Sequence, residues 1–224
     1  MTVEIRRGSA RFLTREAGRQ TRHAFSFGAH YDPERAGFGP LVCHDEHLLA
    51  AGTGFESHRH SGLVIVTWVL DGVLEHRHDD AEPVLLPAGS LGVFHPGDGA
   101  EHSEIGRTGT RFVQLWLTDP VEREGVAHRV VELGAALDTA PNRLLPAADL
   151  DVPGVALHVV RLDAGASLAL PAAPRLYVAV TRGALLRSSL ADPLQAGDAF
   201  LMTDEPGHTV QAGVPSELVV LALP

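Results

Sequence analysis

One cysteine, Cys43, is all that the 224 residues contain. No intrachain disulfide can form, and no cluster of thiolates can hold a metal. Basic residues are also scarce, with 18 Lys and Arg against 28 Asp and Glu and a formal charge of -10. An acidic surface repels phosphate, and no Lys/Arg block offsets it, so neither nucleic acid nor an anionic membrane is an expected direct partner. Long apolar runs are missing too. LVIVTWVL, from Leu63 to Leu70, is among the longest, and roughly 20 residues are needed to span a bilayer. The opening residues, MTVEIRRGSARFLTREAG, lack the apolar centre of a secretory signal, and the expectation is a cytoplasmic protein. Histidine is the exception to this scarcity: there are 13, most of them between His44 and His102.

What is present is a vocabulary of strands. GLVIVTWVL, GVLEHRH, PVLLP, RFVQLWL, VALHVVRL, RLYVAVT, AFLMT and ELVVLAL are short and rich in β-branched or aromatic residues. Gly, Pro and Asp punctuate them at roughly 8–12-residue intervals, which predicts an all-β sandwich or barrel. Helical turns are expected only in ARFLTREAG and EREGVAHRVVELGAAL, and DTAPNRLLPAADLDVPG reads as irregular connection.

The chain also resembles itself. GFESHRHSGLVIVTWVLDGVL from Gly54 lies without gaps on GASLALPAAPRLYVAVTRGAL from Gly165, so Gly72 meets Gly183 and Leu74 meets Leu185. LPAGSLGVF then meets LQAGDAFLM, and a further shift sets GAEHSE over PGHTVQ so that His102 falls on His208. Two copies of one β unit are expected, with a junction near Val121 to Leu137. They differ where it matters: His58 faces Ala169, His60 faces Pro171 and Glu104 faces Val210, while His102 alone has a histidine counterpart, His208.

Residues i and i+2 of a strand share a face. His58 and His60 therefore converge on one point, and His102 and Glu104 on another. Two such pairs on facing strands bring three imidazoles and one carboxylate together. A divalent cation would offset the cost of burying that carboxylate, leaving a net +1. Nitrogen and oxygen donors without thiolate suit Fe(II), Ni, Mn, Co, Cu or Zn, and an open site facing small molecules suggests Fe(II) first. An H-x-H alone is an unremarkable surface pair; the second pair, and a duplicate lacking both, make the metal reading specific.

HRHSGLVIVTWVLDGVLEHRH followed by GAEHSE resembles the pirin family of the cupin superfamily, and the upstream RHAFSFGAHYDPERAGFGPL is similar to that family's lead-in. The resemblance implies two tandem cupin (double-stranded β-helix, jelly-roll) barrels: a metal-binding one over 1–125 and one without metal over 126–224. It implies His58, His60, His102 and Glu104 as metal ligands. It also implies a metal-dependent dioxygenase acting on a small aromatic substrate and O2, opening flavonols such as quercetin with release of carbon monoxide. In that chemistry Glu104 is also the catalytic acceptor of the substrate's hydroxyl proton. A non-catalytic, iron-dependent regulatory pirin with a protein partner is the alternative. Metal-assisted isomerisation or hydrolysis, which would need no O2, is a third reading.

One departure stands out. The family has an acidic residue where this chain has Val64, and alternation from His58 through His60 places Val64 beside the metal. Val66 and Trp68 would follow on that face, as pocket lining or as ordinary core. His76 is a further candidate for the pocket. His78 reads as a solvated turn residue, His95 as a structural turn residue, and His44 and His47 as surface. Cys43 reads as an inert buried thiol and His208 as a satisfied imidazole. The loop Asp32 to Leu41 has the Pro and Gly density of segments that cap pockets.

Overall fold

β-branched runs that alternate with turn residues can satisfy their backbone only by pairing, and almost all of those named above do so. The computed structural model describes residues 1–224. Its contacts divide into two units, Phe12–Gly134 and a second made of Met1–Arg11 with Ala135–Pro224. Each unit is built of antiparallel strands, so the chain is an all-β protein of two tandem cupin barrels. No helix is long and apolar enough to cross a membrane.

β1 (Thr2–Arg6) pairs with residues 199–203 and belongs to the second unit. The first unit begins with β2 (Phe12–Glu16), β3 (Arg19–His23) and β4 (Leu41–Leu49). It continues with β5 (Gly54–His60), β6 (Leu63–Asp71), β7 (Val73–His78) and β8 (Val84–Pro87), then β9 (Ser90–His95), β10 (Ala100–Gly106), β11 (Thr110–Thr118) and β12 (Ala127–Glu132). Seven of these form one sheet in the order β12-β9-β6-β11-β4-β3-β2, and the other four form the sheet β5-β10-β7-β8. The helical expectations mostly fail. ARFLTREAG contributes a 3-10 turn at Gly8–Ala10 and then strand β2, and AHRVVE is strand β12, leaving α1 (Gly134–Thr139) as the one α-helix. β12 pairs with β9, so the first unit runs past the expected 125/126 boundary to Gly134.

The second unit contains β13 (Leu145–Ala148), β14 (Ala156–Leu162), β15 (Ser167–Ala169), β16 (Arg175–Arg182) and β17 (Ala184–Leu185). After them come β18 (Leu194–Gln195), β19 (Ala199–Thr203), β20 (Thr209–Gln211) and β21 (Ser216–Leu223). β13 lies inside the stretch read as irregular. The repeat is visible in the turns: Gly72 and Gly183 have φ of 78° and 76°, and a Cβ at either would come within 2.3 Å of a backbone carbonyl oxygen. Only glycine meets both demands.

The gap-free alignment slips by one residue at the site. His58 lies opposite His102 across β5 and β10, and the corresponding pair across β15 and β20 is Leu168 and Val210. Leu168, Leu170 and Val210 are buried in one apolar cluster, whereas Ala169 is exposed. In the second barrel leucine and valine fill the place that imidazoles hold in the first. His208 stands outside it, half-buried and 3.2 Å from the Glu205 carboxylate.

Candidate metal centre

β5 and β10 bring His58, His60 and His102 together. Their ring centroids lie 4.4 to 5.1 Å apart, and one ring nitrogen from each falls within 4.8 Å of the others. Glu104 belongs to a second such group with His76 and His102, so His102 is shared between the two. A register shift in β10 between His102 and Glu104 sets this arrangement. It carries the buried carboxylate toward Gln114, whose Nε2 donates to Glu104 Oε1 at 2.6 Å and to Thr67 Oγ1 at 3.2 Å. Gln114 Oε1 in turn accepts from the indole of Trp116 at 3.2 Å, and that indole packs on His60.

The imidazoles are prepared to be neutral donors. Burial, then the neighbouring His58, lowers the pKa of His60. Burial pushes His102 down to about 3; Glu104 opposes that shift, and His76, His58 and His60 add to it. Glu104 is lowered to about 2: burial alone would raise it, but His76, His102 and His47 together more than offset that. His58 Nδ1 donates to the Glu56 carbonyl at 2.8 Å, which leaves the Nε2 lone pair free. His60 Nε2 and both nitrogens of His102 are buried without a hydrogen-bond partner. Orphaned buried nitrogens are rare in folded proteins and call for an explanation, and a cation among them would supply one.

A cavity of about 630 Å³ opens onto this cluster, a volume typical of pockets for small organic ligands. Phe55, Trp116 and Phe27 form aromatic walls. Residues Phe27–Ala29 line it, rather than the Asp32 to Leu41 loop.

Several expectations change here. The chain turns at Ser61–Gly62 and leaves one sheet for the other, which resets the alternation. Ile65 and Thr67 share a face with Trp116 and Gln114, which line the pocket. Val64, Val66 and Trp68 therefore lie on the opposite, equally buried face. Val64 does not adjoin the cluster, and the missing acidic residue removes nothing from its wall. His44 and His47 are both buried rather than on the surface. His47 lines the cavity, holds Thr21 Oγ1 at 2.9 Å and contacts Phe55. His76 is buried, with Nδ1 3.8 Å from Glu104, and stacks on His128 at 4.1 Å. His78 ends β7 half-buried beside Asp79, and His95 ends β9 buried 3.7 Å from Asp119. Cys43 is buried, as expected. Gln114, His23, Asp45 and His128 carried no signal in sequence; only the β3–β4, β4–β11 and β9–β12 registers reveal them.

The buried histidines fix a pH dependence. His102 and His128 both sit at about 3 in the folded protein, so below pH 6.5 the unfolded chain takes up protons that the folded chain refuses. Stability of metal-free protein therefore falls as pH drops from 6.5 toward 3, by up to about 1.4 kcal/mol per pH unit for each group. Urea midpoints at pH 7.5 and pH 5 check this, and equal midpoints would refute it.

An antiparallel barrel that gathers imidazoles from two adjoining strands onto its inner wall is a cupin with a candidate metal centre. The chain belongs to the pirin family, whose model matches residues 6–117. A Mycobacterium tuberculosis protein provisionally named quercetin 2,3-dioxygenase is 34% identical over 98% of this chain and 94% of its own length. An Escherichia coli protein named quercetin 2,3-dioxygenase is 26% identical, with 90% of each chain covered. The crystal structure of the Escherichia coli pirin YhhW in complex with nickel(II) has a TM-score of 0.88 and 22% identity, covering 100% of this chain and 99% of that one. At that identity the likeness speaks for the fold.

Proposed function

We propose that this pirin is a metal-dependent dioxygenase that opens flavonols of the quercetin type. The observation that carries the reading is the set of orphaned, neutral imidazole nitrogens at the end of an aromatic-walled cavity. His58, His60, His102 and Glu104 would hold one divalent ion, with Fe(II) the first choice and nickel, carried by the related E. coli pirin, the next. When bound, the metal supplies Lewis acidity to a coordinated hydroxyl and a common anchor for the reactants.

The protein's own residues do the rest. Trp116, Phe27 and Phe55 offer flat apolar surface to an aromatic ring and exclude water from it. Gln114 fixes Glu104 through Oε1, which leaves Oε2 for the metal, and Oε2 would take the proton of the substrate hydroxyl only as it releases the metal. The names of the relatives support flavonol as the substrate class.

Iron-loaded or nickel-loaded protein incubated with quercetin in air should bleach the flavonol band and release carbon monoxide, and should do neither without O2. Fully loaded protein that leaves quercetin untouched ends the assignment. Turnover of another substrate under nitrogen would replace it with non-oxidative chemistry.

A further inference from the structure

The same cavity has a second polar station that the imidazole cluster does not use. β3 and β4 pair with His23 opposite Asp45, and both side chains are buried. His23 Nδ1 lies 2.8 Å from Asp45 Oδ2. The other ring nitrogen, Nε2, lies 3.0 Å from Thr14 Oγ1 on the neighbouring β2. All three residues line the cavity. Contacts from His23 to the cluster run through two aromatic rings: His23 packs on Phe27, Phe27 on Trp116 and Trp116 on His60.

The direction of the hydrogen bonds follows from the carboxylate. Asp45 accepts, so His23 Nδ1 carries the hydrogen and Nε2 presents a lone pair. Thr14 Oγ1 then donates to that lone pair, and its own lone pairs remain for a donor. His30 Nε2, 3.3 Å away, stands in that direction. A hydroxyl, an imidazole and a buried carboxylate in series form a proton acceptor, because the carboxylate stabilises the imidazolium that results.

We propose that Thr14, His23 and Asp45 form a proton-accepting site for a phenolic hydroxyl on the part of the substrate remote from the metal ligands. The substrate O–H bond breaks as its proton passes to Thr14 Oγ1. The Thr14 hydrogen passes to His23 Nε2, and the new imidazolium is balanced by Asp45. The electron pair of the broken O–H bond stays on the phenolate oxygen, and no atom changes oxidation state. Glu16 and Arg19 on the adjoining strands, His30 on the loop and His47 on β4 are the other titratable groups around this end of the cavity. The inference rests on the reading of this cavity as the substrate pocket, and it is independent of any metal. A site of this kind would select aromatic substrates hydroxylated at both ends over those with a single hydroxyl.

The test uses 4-nitrocatechol, whose ionised form absorbs at longer wavelength, with the full chain after chelator treatment. At a pH below the probe's own pKa, the bound probe should show an ionised-to-neutral ratio about tenfold above the free probe, one pKa unit of stabilisation. Thr14→Val and His23→Gln should return that ratio to the free-probe value, and Thr14→Ser should restore it. Because Thr14 is half-buried and stands outside the His23–Asp45 pair, Thr14→Val removes the relay without stranding a buried charge. A merely structural staple would lower urea midpoints in these variants and leave the probe spectrum as in wild type, which overturns the proposal. So would wild-type protein that binds the probe without ionising it, or does not bind it. Metal-loaded protein that ionises the probe yet spares quercetin would sink the dioxygenase reading alone.

Discussion

Replacing His58 and His60 together by alanine should take bound metal from one ion per chain to near none, in protein purified without chelator. These two side chains supply half of the candidate ligand set from one strand, and the remaining His102 and Glu104 sit on β10 alone. Loss of metal should come without loss of fold. The only hydrogen bond recorded for the two side chains is His58 to the Glu56 carbonyl, worth about 1 kcal/mol. Backbone pairing of β5 with β10 is untouched. Metal at about 100 times its dissociation constant stabilises a single-site protein by about 2.7 kcal/mol. For a chain of this size that raises the thermal midpoint by about 5–10 °C. Wild type should show that rise and the double variant should not. Gln114→Leu is the graded control: it leaves all four candidate ligands and removes the hydrogen bond that supports Glu104, together with those to Thr67 and Trp116, for an expected weakening of about 10–100-fold. Wild type and double variant with equal metal content would refute the ligand assignment.

Gly54→Ala should be among the most damaging single methyls in the first barrel. An added Cβ would stand 1.9 Å from the carbonyl oxygen of Glu104 and 2.9 Å from the Glu104 carbonyl carbon and Ile105 Cα. These are backbone atoms, so no side chain can swing aside. β5 must draw away from β10 at the point where β10 shifts register between His102 and Glu104. Overpacking of this kind costs about 1–3 kcal/mol, which lowers the thermal midpoint by roughly 2–12 °C. Metal retention should fall with it, because the same displacement carries His58 and His60 away from His102. Gly109→Ala is the matched control, since nothing lies within 4 Å of a Cβ there; its effect should stay within about 0.5 kcal/mol. A Gly54→Ala protein as stable as Gly109→Ala would contradict the described approach of the two strands.

Strand chemistry was legible wherever one face differed from the other. In ESHRH and AEHSE the candidate ligands, His58 with His60 and His102 with Glu104, stand two residues apart, and period two puts each pair on one side of any strand. LVIVTWVL gave no such guide. Both of its faces are buried, so its composition does not reveal which one looks into the cavity, and the turn at Ser61–Gly62 breaks the phase carried over from His60. Val64 was misplaced for that reason. The alignment of the two halves slipped for a related one: matching glycines fix the turns, but His58 and Leu168 share no chemistry that would lock the strands between them. His47 sits between acidic and apolar neighbours and reads as a surface residue. It is interior because its face of β4 turns inward, against Thr21 of β3, Phe55 of β5 and Phe112 of β11.

By itself the amino-acid order determined the all-β architecture, the duplication and the two same-face pairs that hold His58, His60, His102 and Glu104. Those follow from local periodicity, turn residues and the absence of thiols and long apolar runs. Tertiary structure alone decided that Gln114 grips Glu104, that Trp116 and Phe27 wall the cavity, and that Thr14, His23 and Asp45 meet in it. Apart from Phe27, which lies in the loop after β3, these residues meet across different strands, and the partner across a sheet is chosen by register, a property of paired strands that a single strand's sequence does not carry.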